Sequence, residues 1–253
     1  MTDAPLSQRL NELRMGFMIL TRLPVGEIRG AVPSIGASSW TWPVVGAAIG
    51  ALAALAHALA VSAGVPPLLA ACLAVLTSAL ATGGLHEDGL ADLADGFGGG
   101  RTRERRLEIM RDSRIGSYGA LALGFSLVIR ICAIATIPHP SIPFALIALG
   151  AASRAPLPAA LRLMPRARSD GLGSSAADVS EQSALLAGII GLVALISLGL
   201  GNGLVTALAI CLVVTSLGLL AKARIGGQTG DVLGAMQQTA ELSGWICLTA
   251  LLT

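Results

Sequence analysis

Four acids and a histidine stand together in His86-Glu87-Asp88-Gly89-Leu90-Ala91-Asp92-Leu93-Ala94-Asp95-Gly96, directly after residues 66–84, which are almost wholly apolar or small. On a helix of 3.6 residues per turn, Asp88, Asp92 and Asp95 fall within about 60° of one another, while Glu87 points elsewhere. Three carboxylates on one face repel unless a cation lies between them, and all-oxygen ligation suits Mg²⁺, Mn²⁺ or Ca²⁺. The candidate metal ligands are therefore Asp88, Asp92 and Asp95, with Glu87 as the outlying fourth. A solvated acidic turn capping a membrane helix is the plainer alternative. The spacing, and the arginines that follow, favour the metal. His86 adjoins the acids directly, and it joins Asp95 as a candidate for proton transfer.

The acids run into Gly98-Gly99-Gly100 and then Arg101, Arg103, Arg105, Arg106, Arg111 and Arg114. Guanidinium groups bind phosphate oxygens in bidentate fashion. For Arg101, Arg103 and Arg105 the simpler role is a positive loop against anionic lipid. The denser segment Arg111-Asp112-Ser113-Arg114 abuts the next apolar stretch and is the candidate phosphate grip. A carboxylate–metal centre beside arginines suits a pyrophosphate, whose charge both would offset. A second glycine-rich stretch, Gly226-Gly227-Gln228-Thr229-Gly230-Asp231, offers backbone N–H groups at Gly226, Gly227 and Thr229, and Asp231 as another acid. It lacks the Gly-Lys-Ser/Thr ending of a nucleotide-binding P-loop, and an ordinary turn would look the same. Arg130 and Arg154 lie inside apolar stretches, where each needs an acid, a carbonyl or an anionic ligand. Arg154 is counted among the candidate substrate-binding residues, whereas His57 and His139 read as packing or interfacial residues.

These residues must be held by a membrane scaffold. The 253-residue chain is 54% hydrophobic and 13% charged, with a mean hydropathy of +0.75. A soluble domain carries about 25% charged residues, so this composition indicates an integral membrane protein. Stretches of spanning length run near 41–63, 66–84, 117–137, 142–163, 183–200 and 203–221, with a shorter one at 242–253. The expected architecture is a single all-α, polytopic catalytic domain over residues 1–253, with about six or seven transmembrane helices. Leu6, Leu10, Leu13, Phe17 and Leu20 recur at helical spacing between charges, which fits an N-terminal amphipathic helix at the interface. Residues 1–8 lack the basic-then-apolar order of a cleaved signal, and residues 169–180 read as a flexible loop.

The connections alternate between short, uncharged turns and long, charged segments at 1–40, 85–116, 164–182 and 222–241. If each apolar pair is a hairpin, every charged connection falls on one side, which the positive-inside rule makes the cytoplasm. The segment 85–116 then becomes a cytoplasmic catalytic loop, and 1–40 a cytoplasmic or interfacial lead. The cysteines Cys72, Cys132, Cys211 and Cys247 all lie in apolar stretches without a Cys-x-x-Cys partner, so they read as packing residues.

Three blocks, His86–Gly96, Leu107–Gly116 and Gly226–Asp231, strongly resemble the cobalamin synthase family, the adenosylcobinamide-GDP ribazoletransferases. Lesser matches are Thr21-Arg22-Leu23-Pro24, Trp42-Pro43-Val44-Val45-Gly46 and Ser153-Arg154, in order along essentially the whole chain. The resemblance implies a Mg²⁺-dependent enzyme of the bacterial inner membrane with its active site facing the cytoplasm. Such an enzyme joins α-ribazole, or its 5′-phosphate, to adenosylcobinamide-GDP and releases GMP. Its partners would be those substrates and the lipid bilayer, with no nucleic acid, and a homo-oligomer is compatible with all of this. Two other readings compete. A CDP-alcohol phosphotransferase would carry an Ala-Arg between its early and later acids, and no arginine stands between Asp88 and Asp95. A transporter would show inverted repeats and acids near mid-membrane, and no repeat is evident.

Overall fold

The computed structural model describes residues 6–168 and 179–253. Most of the segment expected to be a flexible loop, and the first five residues, lie outside the described residues. Within them the regular elements are helical, apart from one isolated bridge between Arg166 and Gln228. The helices are α1 (Leu6–Leu20), α2 (Ile35–Ser38), α3 (Trp42–Ser62), α4 (Pro67–Thr82), α5 (Leu85–Gly99) and α6 (Arg103–Ile109). They continue as α7 (Ser117–Thr136), α8 (Ile142–Ala152), α9 (Leu157–Leu163), α10 (Glu181–Ile196), α11 (Leu200–Ile225) and α12 (Gly230–Leu252). The all-α membrane architecture expected from composition is the one observed.

Among the described residues, four helical stretches are long and apolar enough to cross a bilayer: Ile35–Ser62, Ser117–Thr136, His139–Leu163 and Leu200–Ile225. A fifth arises if α4 and α5, which meet at 90°, form one broken span. The bend has a local cause. Gly83 and Gly84 both adopt left-handed backbone, at φ +67° and +73°, a conformation open to glycine at little cost. The stretch expected at 183–200 is the shorter helix α10. Two charged segments expected as loops are mostly helical. Residues 85–116 contain α5 and α6, and 230–241 form the first half of α12, a helix of 23 residues. Sequence hydropathy hides that half because Gln237, Gln238 and Glu241 dilute it, yet all three side chains are buried within the bundle.

Small residues set the closest contacts. A Cβ on Gly46 of α3 would stand 2.0 Å from the Gly150 oxygen of α8, so these helices touch backbone to backbone. Such contacts are what hold helices together where lipid supplies no hydrophobic drive. A polar cluster crosses the interior. Arg130 of α7 donates to Glu87 (3.4 Å), Gln238 (3.2 Å) and Glu241 (2.9 Å). Gln237 bonds Glu241 at 2.7 Å and Ser153 at 3.0 Å, and Arg154 donates to the Gly150 oxygen at 3.0 Å. The two arginines inside apolar stretches thus find the acids and carbonyl that their burial demands.

The charged connections meet at one end. Arg103 donates to the Ile225 oxygen and the Ala167 oxygen, both at 2.8 Å, and Arg106 donates to the Arg224 oxygen. Arg9, Glu12 and Trp40 line a common recess with Ser180 and Ser183. In α1 the buried side chains are Asn11, Glu12 and Leu20, with Gly16, while Leu6, Leu10 and Met18 face outward. That arrangement suits a helix whose leucines meet lipid and whose polar face meets protein. His57, which is buried, and His139, which is exposed, lie ring to ring at 6.0 Å, and the four cysteines are free.

Candidate active site

α5 presents its acids in graded exposure: Asp88 is exposed, Asp92 half-buried and Asp95 buried. Asp88 and Asp92 line an open cavity of about 660 Å³ between α1, the α4–α5 bend and the segment after α6. Arg22, Thr82, Ser113 and Ile115 also line it. Asp88 also lines a second, narrower cavity of about 130 Å³, and there it is joined by Asp231 at the start of α12. Asp88, Asp231 and Asp95 all act on Asp92 as like charges. The meeting of α5 and α12 depends on two glycines. A Cβ on Gly89 would lie 2.9 Å from the Asp231 oxygen, and one on Gly234 would lie 3.3 Å from the Gly89 Cα.

The expected metal ligands therefore divide. Asp95 turns to α7, whose first turn it caps from outside: its carboxylate accepts the Gly116 N–H at 2.7 Å and the Gly119 N–H at 2.9 Å. A carboxylate at a helix N-terminus is favoured by both the free N–H groups and the helix dipole. Glu87 faces the opposite side and belongs to the Arg130 cluster, accepting also from Gln238 at 3.0 Å. Among the described residues no three His, Cys, Asp or Glu side chains are close enough to hold an ion by themselves. Two carboxylates on one open wall remain, Asp88 and Asp92, and magnesium sites commonly use one or two carboxylates with substrate phosphates completing the shell. The oxygen donors and the mutual repulsion fit such an ion.

Asp231 is not free. Arg168 pairs with it closely, and the Thr229 hydroxyl donates to it at 3.2 Å. Thr229 is the N-cap of α12, accepting the Val232 N–H at 3.3 Å. The glycine-rich stretch before it packs against other parts of the chain. Gly226 ends α11 in left-handed backbone at φ +86°, and a Cβ on Gly227 would stand 2.0 Å from the Pro165 oxygen. The Gln228 N–H donates to that same oxygen at 2.8 Å, and the Gln228 carbonyl accepts the Ala167 N–H at 2.9 Å. Gly227 seats the chain at residues 165–167 and Gly226 lies against Arg103, and a bare sequence cannot distinguish such uses from ligand binding.

The loop after α6 also divides. Ser113 faces the acidic cavity, whereas Arg111 lines a separate exposed recess with Arg103 and Arg168. Arg114 pairs with Asp112 at 2.7 Å on the surface, its side chain 87% exposed. Hydrogen bonds from Arg114 pull the Asp112 carboxyl down to about 2, so the pair is intact at neutral pH and is lost only as pH falls towards that value. Arg103 is more than a topogenic charge, since its two carbonyl bonds join three connections. His86 is buried between the acids and the arginines, with Nδ1 unpartnered, and Arg154 is enclosed in the interior cluster. Neither lines the open cavity. Two residues missed as site members are Arg22 on its wall and Arg168 against Asp231. Arg22 had a signal, since it stands in a block shared with the resembled family. Arg168 had only its charge.

The chain matches, over residues 12–249, the family described as cobalamin-5-phosphate synthase. A relative from Bradyrhizobium diazoefficiens, named adenosylcobinamide-GDP ribazoletransferase, is 47% identical over 91% of this chain and 90% of its own. Relatives of the same name from Mesorhizobium japonicum and Shewanella pealeana are 42% and 38% identical, with coverage of 93% and 96% of this chain and 92% and 96% of theirs. No solved structure matches. With nearly its whole length matched and the acidic blocks inside the match, the chain belongs to the cobalamin-5-phosphate synthase family.

Proposed function

We propose that the chain is a Mg²⁺-dependent adenosylcobinamide-GDP ribazoletransferase of the bacterial inner membrane, with its active site on the cytoplasmic side. The observation that carries this reading is the pair Asp88 and Asp92 on the wall of a cavity that also holds Arg22 and Ser113, in a chain of this family. The acceptor is α-ribazole or its 5′-phosphate. Its hydroxyl oxygen forms a bond to the phosphorus attached to cobinamide, the bridging P–O bond of the pyrophosphate breaks, and GMP leaves with that oxygen. The hydroxyl proton passes to a carboxylate and then to solvent.

Asp88 and Asp92 would hold Mg²⁺, which when bound offsets pyrophosphate charge. Arg22 reaches the same cavity and is the guanidinium best placed to grip a phosphate. Asp231 opens into the narrow cavity beside Asp88 and is the acid suited to accept the hydroxyl proton. Asp95 acts at one remove, by fixing α7 and the Gly116 turn against α5. Positioning of this kind supplies much of the acceleration in phosphoryl transfer, where the protein does little covalent chemistry. Purified protein in nanodiscs, given adenosylcobinamide-GDP and α-ribazole, should release GMP only when both are present. GMP release without the acceptor, or none with it, would overturn the assignment.

A further inference from the structure

The narrow cavity has features that the reaction at Asp88 and Asp92 leaves unexplained. Its wall is largely apolar, from Leu20, Leu157 and Leu161, yet Trp42 and His86 stand in it. Trp42 is 5% exposed and His86 3%, and Trp42 Nε1 and His86 Nδ1 are both buried without a hydrogen-bond partner. Buried polar groups in proteins are nearly always satisfied, so Trp42, a residue of the cavity wall whose buried indole N–H has no acceptor among the described residues, is the donor to ask about. An apolar enclosure with one or two placed polar groups is the usual form of a small-molecule site. The volume, about 130 Å³, suits a single planar ring system, and the cavity meets the open one at Asp88.

Building on the ribazoletransferase reading, we infer that this cavity binds the azole base of the acceptor, with Trp42 Nε1–H donating to the ring nitrogen that carries no sugar. An azole riboside has an apolar ring body and one free acceptor nitrogen, which suits the leucine-lined part of the wall and the Trp42 indole donor. The assignment also places the two substrates on opposite sides of Asp88. The base lies inward beside Asp231, and the pyrophosphate lies in the open cavity beside Asp92 and Arg22. Trp42 is thereby a specificity-determining residue for the acceptor.

The test uses the full chain in nanodiscs, with Trp42→Phe, which keeps an aromatic ring and removes the donor. The expected result is a rise of about tenfold in KM for α-ribazole, with KM for adenosylcobinamide-GDP changed by less than about twofold. Benzimidazole, the free base, should inhibit competitively against α-ribazole and not against adenosylcobinamide-GDP. A KM effect on the GDP substrate, unchanged KM values for both, or benzimidazole competing with the GDP substrate would each overturn the inference. Tryptophan fluorescence titrated with benzimidazole reads the cavity without turnover. Quenching should saturate in the wild type and weaken in Trp42→Phe, and equal quenching in both would overturn the assignment even if the protein released no GMP. Absent GMP release with the expected quenching would instead count against the ribazoletransferase reading alone.

Discussion

Asp88, Asp92, Asp95 and Glu87 share one helix and serve three different ends. The first two face an open cavity, Asp95 caps α7, and Glu87 neutralises Arg130, whose side chain is 3% exposed. Removing the negative charge from one side of a buried pair leaves the other charge uncompensated, at about 3–5 kcal/mol. Glu87→Gln should therefore act on stability, lowering the unfolding free energy by about 3 kcal/mol at most, because Glu241 still holds Arg130 at 2.9 Å. Thermal unfolding in detergent would read the loss, and the KM values of the remaining folded enzyme should not move. A change in KM with unaltered stability would place Glu87 at the substrate instead. The helical face of Asp88, Asp92 and Asp95 was legible from spacing alone. The withdrawal of Asp95 was not, because it depends on where the N–H groups of Gly116 and Gly119 arrive, 21 and 24 residues later.

At the scale of elements, the meeting of α5 with α12 brings Asp231 to the narrow cavity beside Asp88. Gly89 sits in the middle of α5, where alanine would ordinarily favour the helix by about 1 kcal/mol. Packing predicts the reverse, since the added Cβ would lie 2.9 Å from the Asp231 oxygen, a backbone atom that cannot swing aside. Gly89→Ala should thus separate Asp88 from Asp231 and lower kcat by at least about tenfold, given how steeply rate depends on placement. Unchanged kcat with raised stability would mean that the contact between these helices does not set the site. The first half of α12 escaped hydropathy for a physical reason. Gln237, Gln238 and Glu241 face a polar cluster inside the bundle rather than lipid or water. Likewise the glycines at 226 and 227 have the composition of a phosphate cradle, but Gly227 receives the chain at Pro165 and Gly226 lies against Arg103.

Over the whole molecule, the hairpin rhythm of short uncharged and long charged connections was legible in the sequence. Arg103 then ties α6 to the ends of α9 and α11 through the Ala167 and Ile225 carbonyls. Cysteines placed at positions 101 and 223, both exposed in the structure, should be labelled by an impermeant reagent only from the cytoplasmic face. Cysteines placed at 64 and 201 should be labelled only from the opposite face. Labelling of 101 and 223 from different faces would contradict the shared end. Asp88, Asp92, Arg22 and Ser113 line one cavity, with Asp231 in the cavity next to it, so connections far apart in sequence come together at the candidate site.

The central claim is that Asp88 and Asp92 form the metal-dependent centre of phosphoryl transfer, and GMP release titrated against Mg²⁺ tests it directly. Removing a positioned charge at such a centre commonly costs about 3 kcal/mol or more, so Asp88→Asn and Asp92→Asn should each lower turnover at least about a hundredfold at saturating Mg²⁺. Both variants should unfold at nearly the wild-type temperature, since neither carboxylate is fully buried. Near-normal GMP release by both variants at limiting Mg²⁺ would contradict the account.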